Sequence, residues 1–121
     1  MDNYTQRKLN VLVHLAMVDG KFHKAEKALI NDFVNERGFE IDEFEMLKMP
    51  SDNLEDLKSI DDKKEMLYLA YKLIRADNIV DESEVVFYKK LASRLGYKSE
   101  VVDILRREKL TRRQFDELIV A

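Results

Sequence analysis

Met17-Val18-Asp19-Gly20-Lys21-Phe22-His23-Lys24-Ala25-Glu26 and Arg75-Ala76-Asp77-Asn78-Ile79-Val80-Asp81-Glu82-Ser83-Glu84 follow one plan, 58 places apart. In each, an aspartate closes an apolar run and a residue tolerant of left-handed backbone follows it. A glutamate comes seven positions after the aspartate. The offset holds on both sides: Leu9 falls on Leu67, Leu15 on Leu73, Gly38-Phe39 on Gly96-Tyr97 and Leu47 on Leu105. From Leu9 to Lys48 this yields six identities, where composition alone gives roughly three. The inference therefore rests on placement: the matches are apolar positions, a helix-ending glycine and two carboxylates of one turn. The reading is an internal repeat, 9–48 and 67–106, joined by a linker over 49–61, within one domain spanning 1–121.

The composition agrees with an all-α fold. Of 121 residues, 45% are hydrophobic and 37% charged, with only one proline and three glycines, so few breakers interrupt the helix formers. No stretch alternates with a strand period long enough to compete. The net charge of −3 offers nucleic acid no general attraction. The basic cluster Arg106-Arg107 to Arg112-Arg113 is interleaved with Glu108 and reads as a solvated helix face. Absence of cysteine excludes disulfides, thiolate zinc sites and cysteine nucleophiles. The polar start Met1-Asp2-Asn3-Tyr4 lacks the pattern of a signal peptide, and Val11 to Val18 is too short to span a bilayer. A soluble, cytoplasmic protein without direct membrane insertion is expected.

Helix starts are marked by capping boxes at Asp81-x-x-Glu84, Asp42-x-x-Glu45, Thr111-x-x-Gln114 and Asp62-x-x-Glu65, and by an N-cap at Ser99. Gly38 and Gly96 each follow a periodic run and precede an aromatic, as a left-handed C′ glycine does. The expected helices are 4–18, 23–37, 42–48, 62–76, 81–95, 99–108 and 111–120, seven in all, three to each half with one beyond the repeat. The first and fourth are apolar nearly all round and belong in the centre. The second and fifth are amphipathic and belong outside, each on its own half's central helix.

The turns carry the candidate chemistry. Asp19 and Asp77 face the negative end of a helix dipole, an arrangement that costs roughly 0.3–1 kcal/mol. Glu26 and Glu84 fall in the first turn of the next helix, with His23 or Asp81 between them at the N-cap. One reading is structural: the aspartate accepts from free N–H groups and the glutamate closes a capping box. The other is a hard-cation site, in which Asp77, Asp81 and Glu84 supply oxygens to calcium, magnesium or manganese. Asp19, His23 and Glu26 make a more mixed set. Neither turn is an EF-hand, which needs glycine at its sixth position and glutamate at its twelfth; counted from Asp77 these are Glu82 and Tyr88. His14, among apolar residues mid-helix, reads as a satisfied or surface histidine.

The pattern of an apolar helix, Ala/Val-Asp-Gly/Asn-x-apolar-x-x-x-Glu and an amphipathic helix, occurring twice, resembles the tellurite-resistance TerB-like domain. Relatives of that domain form the cytosolic N-terminal part of DjlA-type membrane co-chaperones. The resemblance covers Leu9 to Leu105 and implies a duplicated helical fold with metal-binding acidic turns, linked to tellurite resistance and stress. The positions that match are Asp19, Glu26, Asp77 and Glu84. The chain departs from the pattern at Asn78, where glycine is usual, and at His23. The function expected is a non-enzymatic module that binds a divalent metal or a protein partner. The alternative is a helical interaction scaffold whose acidic turns are only caps. Two histidines, no cysteine and no phosphate-cradling glycine motif leave no evident catalytic group.

Overall fold

The computed structural model describes residues 3–18, 23–40, 42, 57–76 and 80–119. Among these residues the structure is all-helical, with no strand. Helix α1 (Asn3–Ala16) lies against α3 (Ile60–Ile74) in the centre. Helix α2 (Lys24–Asn35) packs on α1 and α4 (Glu82–Arg94) on α3. A 3₁₀ helix (Ser99–Arg106) follows on α4, and α5 (Arg112–Leu118) closes the chain against α3.

The central pair is helical because its apolar residues recur on nearly every side. Leu9, Leu12, Val13 and Leu15 of α1 and Met66, Leu67, Ala70, Leu73 and Ile74 of α3 are fully buried. Each of these side chains larger than alanine contributes about 1.5–3 kcal/mol by leaving water. The outer helices bury one stripe only. On α2 it is Glu26, Ile30, Phe33 and Val34; on α4 it is Glu84, Tyr88, Leu91 and Ala92. Adding 58 to each member of the first stripe gives the second.

The helix ends follow the same offset. Gly38 and Gly96 have φ of 83° and 88°, the left-handed conformation expected of both. Behind them the Phe39 N–H donates to the Val34 carbonyl at 3.0 Å, and the Tyr97 N–H donates to the Ala92 carbonyl at 2.9 Å. This is the six-to-one bond of a Schellman motif, which satisfies a carbonyl the ended helix leaves open.

Beyond one or two residues at helix ends, two elements differ from expectation in how they start or wind. Helix α3 begins two residues early, because Ser59 is its N-cap and accepts from the Asp62 N–H at 3.0 Å. Asp62 is thereby a first-turn residue and Glu65 faces other helices, so the Asp62–Glu65 box does not form. The segment after Gly96 is 3₁₀, not α, and its N-cap position falls on Lys98, whose side chain makes no cap bond, instead of on Ser99. Its apolar residues explain the tighter winding. Three residues per turn set Val101 above Ile104 and Val102 above Leu105, and β-branching at three of these four positions weakens α propensity. The expected helix over 42–48 lies outside the described residues except for Asp42. The Thr111–Gln114 box forms as read, with both of its bonds present.

Candidate functional site

Of the six candidate ligands, Asp19 and Asp77 lie outside the described residues. The other four stand where the capping reading puts them. His23 and Asp81 are the N-caps of α2 and α4, in extended conformation with ψ of 151° and 146°. Glu26 Oε1 accepts from the His23 N–H at 3.0 Å, and Glu84 Oε1 accepts from the Asp81 N–H at 3.0 Å. Both glutamates are buried, at 2% and 4% exposure. Each carboxylate thus satisfies one of the N–H groups that a helix start leaves without an internal partner. Its charge also faces the positive end of the helix dipole. Among the described residues, no three histidine, aspartate or glutamate side chains converge as a metal site would require.

A second constellation, not anticipated from the sequence, joins four helices at the start of α3. Lys8 of α1 is 5% exposed, and its Nζ donates to Asp62 Oδ1 at 2.7 Å and to Glu65 Oε1 at 3.3 Å. Arg37, just beyond α2, donates from Nη2 to the same Glu65 oxygen at 2.8 Å and lies 3.9 Å over the Phe33 ring. Arg112 of α5 reaches Asp61 at 3.1 Å and Asp116 at 3.0 Å. The Lys8 hydrogen bond is the main reason the Asp62 carboxyl is held below the usual carboxylate range, against the opposing effect of burial. A lysine inside an otherwise apolar stripe was the available signal. Its equivalent 58 places on is the fully buried Met66.

The same surface carries a groove. One compartment, about 570 Å³, runs between α2 and α3 over Phe33, Leu69 and Leu29 and ends at Arg37, Glu65 and Arg112. A smaller one, about 280 Å³, adjoins it at Leu29, Tyr68, Lys72 and Ala76 and is walled by Glu108, Lys109 and Leu110. That wall is strapped down by two tyrosines of α3. Tyr71 Oη donates to the Arg107 carbonyl at 2.6 Å and accepts from the Leu110 N–H at 3.2 Å; Tyr68 Oη donates to the Leu110 carbonyl at 3.2 Å. Phe115 of α5 braces both rings, with centroids at 5.3 and 5.5 Å. Burial pushes the Tyr68 phenol up, which keeps it a hydrogen-bond donor.

At the apex of the strap, Lys109 has φ of 52°, the one positive value among the described non-glycine residues. A left-handed lysine costs about 1–2 kcal/mol. The basic cluster therefore divides. Arg112 is fixed in the ionic junction, and Arg113 is exposed beside Glu117 at 3.5 Å. Arg106 and Arg107 are exposed, as a solvated face requires.

No helix among the described residues is long and apolar enough to cross a membrane. Comparison with protein-family models, with curated proteins and with solved structures gives no match for this chain.

Proposed function

We propose that this chain is a non-enzymatic helical interaction module of TerB-like plan, built from two related units, whose acidic turns act as helix caps. The observation that carries the reading is the paired burial of Glu26 and Glu84, each accepting the N–H of its own N-cap residue. A carboxylate engaged in this way has a structural reason to occupy its position in both turns. The two-unit plan is supported, under the 58-residue offset, by helix bounds that agree to within one residue and by buried stripes and glycine caps that coincide. The module works in the cytoplasm on a protein partner, and the links to tellurite resistance and stress rest on the resemblance alone.

The competing reading gives the turns a divalent cation. A ligand present at a hundred times its dissociation constant adds about 2.7 kcal/mol to stability. That corresponds to roughly 10 °C in a domain of this size. Thermal melts in millimolar calcium, magnesium and manganese, each against a chelator blank, decide between the two. The capping reading expects coincident melts in all four conditions. A rise of several degrees in any one ion assigns the turns to metal and removes it.

A further inference from the structure

We infer that the groove between α2, α3 and the 107–110 strap docks an acidic peptide segment of a partner protein, one that carries a large apolar side chain between its carboxylates. The inference rests on the interaction-module reading and gives that module a binding surface. Its basis is the uneven charge of the groove. Along α2 and at the α5 end the lining holds no spare positive charge: Asp32 and Glu36 line it, and Arg37 and Arg112 are already matched by Glu65, Asp61 and Asp116 at 2.8 to 3.1 Å, so the peptide's carboxylates belong at the strap end. At the other end, Arg75 is matched by Glu108 at 3.2 Å, but Lys72 and Lys109 meet no described carboxylate within ion-pair distance. Lys72 instead sits 5.5 Å over the Tyr68 ring. Two unneutralised ammonium groups therefore flank a floor of Leu29, Tyr68 and Leu110.

The shape fits a peptide. The small compartment has room for one large side chain, and the groove continues past Ala25 and Ala28, both exposed, along the open seam of α2 and α3. A drug-sized ligand needs most of its surface enclosed; an open seam with an apolar floor and charged rim suits a chain segment. The wall is also preformed. The tyrosine hydroxyls hold 107–110 in place and keep Lys109 in its strained conformation, so the backbone of the wall needs no further ordering on binding.

The test uses the full chain, labelled with nitrogen-15, and a short synthetic Glu-rich peptide with a single central Phe. Amide shifts are expected at Leu29, Ala76, Lys109 and Leu110. They should weaken with added salt, as exposed charge pairs do. Replacing the peptide's Glu by Lys, or its Phe by Ala, should abolish them. Lys72→Glu with Lys109→Glu, checked for folding by circular dichroism, should weaken binding at least about tenfold, because repulsion replaces attraction. Lys72→Gln with Lys109→Gln gives a smaller loss in the same direction. No shifts at millimolar peptide, or equal shifts with the Lys version, overturn the proposal. So does concentration-dependent self-association that the double Glu variant removes, since that assigns the groove to a second copy. Ion-dependent melting would defeat the capping reading and leave these peptide results unmoved.

Discussion

Replacing Lys8 by methionine tests how the ionic junction at the start of α3 stabilises the fold. Methionine is the residue at the equivalent central position 58 places on, where Met66 is fully buried, so shape is nearly conserved and charge is removed. Lys8 donates at 2.7 and 3.3 Å to two carboxylates, and bonds between charged groups contribute about 1.5–3 kcal/mol each. The net loss is smaller than their sum. Asp62 still accepts from Ser59 Oγ at 2.8 Å, and Glu65 still accepts from Arg37 at 2.8 Å. Both side chains also keep a quarter of their surface in water, at 26% and 21%. Relief of the buried ammonium's desolvation offsets more. The expected penalty at neutral pH is about 1–2 kcal/mol, or a melting temperature lower by about 4–8 °C.

The pH dependence separates charge from packing. The Asp62 carboxyl titrates below its ordinary value in the fold, chiefly because of Lys8. Its contribution is therefore complete above the unfolded pKa of about 3.9 and is lost as pH falls through the lower folded value. Urea melts of both proteins across that window should show a gap that is widest near neutrality and closes in acid. A double-mutant cycle with Asp62→Asn should give a coupling energy of at least about 0.5 kcal/mol at neutral pH. A gap that stays constant from neutral to acid pH, or a cycle that is additive, refutes the electrostatic account and leaves only a packing defect.

Gly96→Ala should cost about 1 kcal/mol in denaturant melts; no atom lies within 4 Å of the added Cβ, so the loss is conformational, at φ of 88°. Tyr88→Phe should cost about 1 kcal/mol through the buried bond from Tyr88 Oη to the Leu67 carbonyl at 3.0 Å. Burial pushes the Tyr88 phenol above its ordinary value, so the stability it confers is present below pH of about 10 and is lost as pH rises. Ultraviolet titration should find this tyrosine ionising only with unfolding, and an early release of all five phenols would contradict that. Asp77→Asn separates the turn readings in chelator: a cap loses a few tenths of a kcal/mol, whereas an empty cation site gains about 0.5–1 kcal/mol by losing a repelling charge.

What was legible in the sequence was local or periodic. Gly38 and Gly96 were readable because only a left-handed residue ends these runs, and Asp81 and His23 because an N-cap with glutamate three places on has one geometry. Apolar stripes placed α1 and α3 in the centre for the same reason. Errors arose where two local signals competed or where a partner was distant in sequence. Asp62 reads as the cap of α3, but Ser59 takes that place and Asp62 is held by Lys8, 54 positions away. The α period expected over 99–108 lost to a three-residue repeat of Val101, Val102, Ile104 and Leu105. The groove had no local signature at all. The hydroxyls of Tyr68 and Tyr71 find partners only because 107–110 folds back across α3.

The two halves of the chain divide labour by where they agree and where they part. Under the 58-residue offset, the shared features start helices, end them or fill the core: Glu26 with Glu84, Gly38 with Gly96, Leu9 with Leu67. The caps act within their own unit, and Leu9 and Leu67 belong to the core that both units share. The groove is built from positions that do not agree. Tyr68, Tyr71, Lys72 and Arg75 correspond to Asn10, Val13, His14 and Met17. In the first half Asn10 and Val13 are buried and His14 and Met17 half-buried, and none of the four has a phenol or a permanent charge. The hydroxyls that shape the groove therefore stand on α3 alone, and its two ammonium groups stand on α3 and on the strap. The strap that the hydroxyls hold belongs to the chain after the repeat, where α5 also adds Phe115 and Arg112. A function common to both turns would have been carried by the residues that match. The binding surface inferred for this chain is carried by those that differ, so substitutions at Glu26 and Glu84 should register in melting experiments, and those at Lys72 and Lys109 in peptide binding.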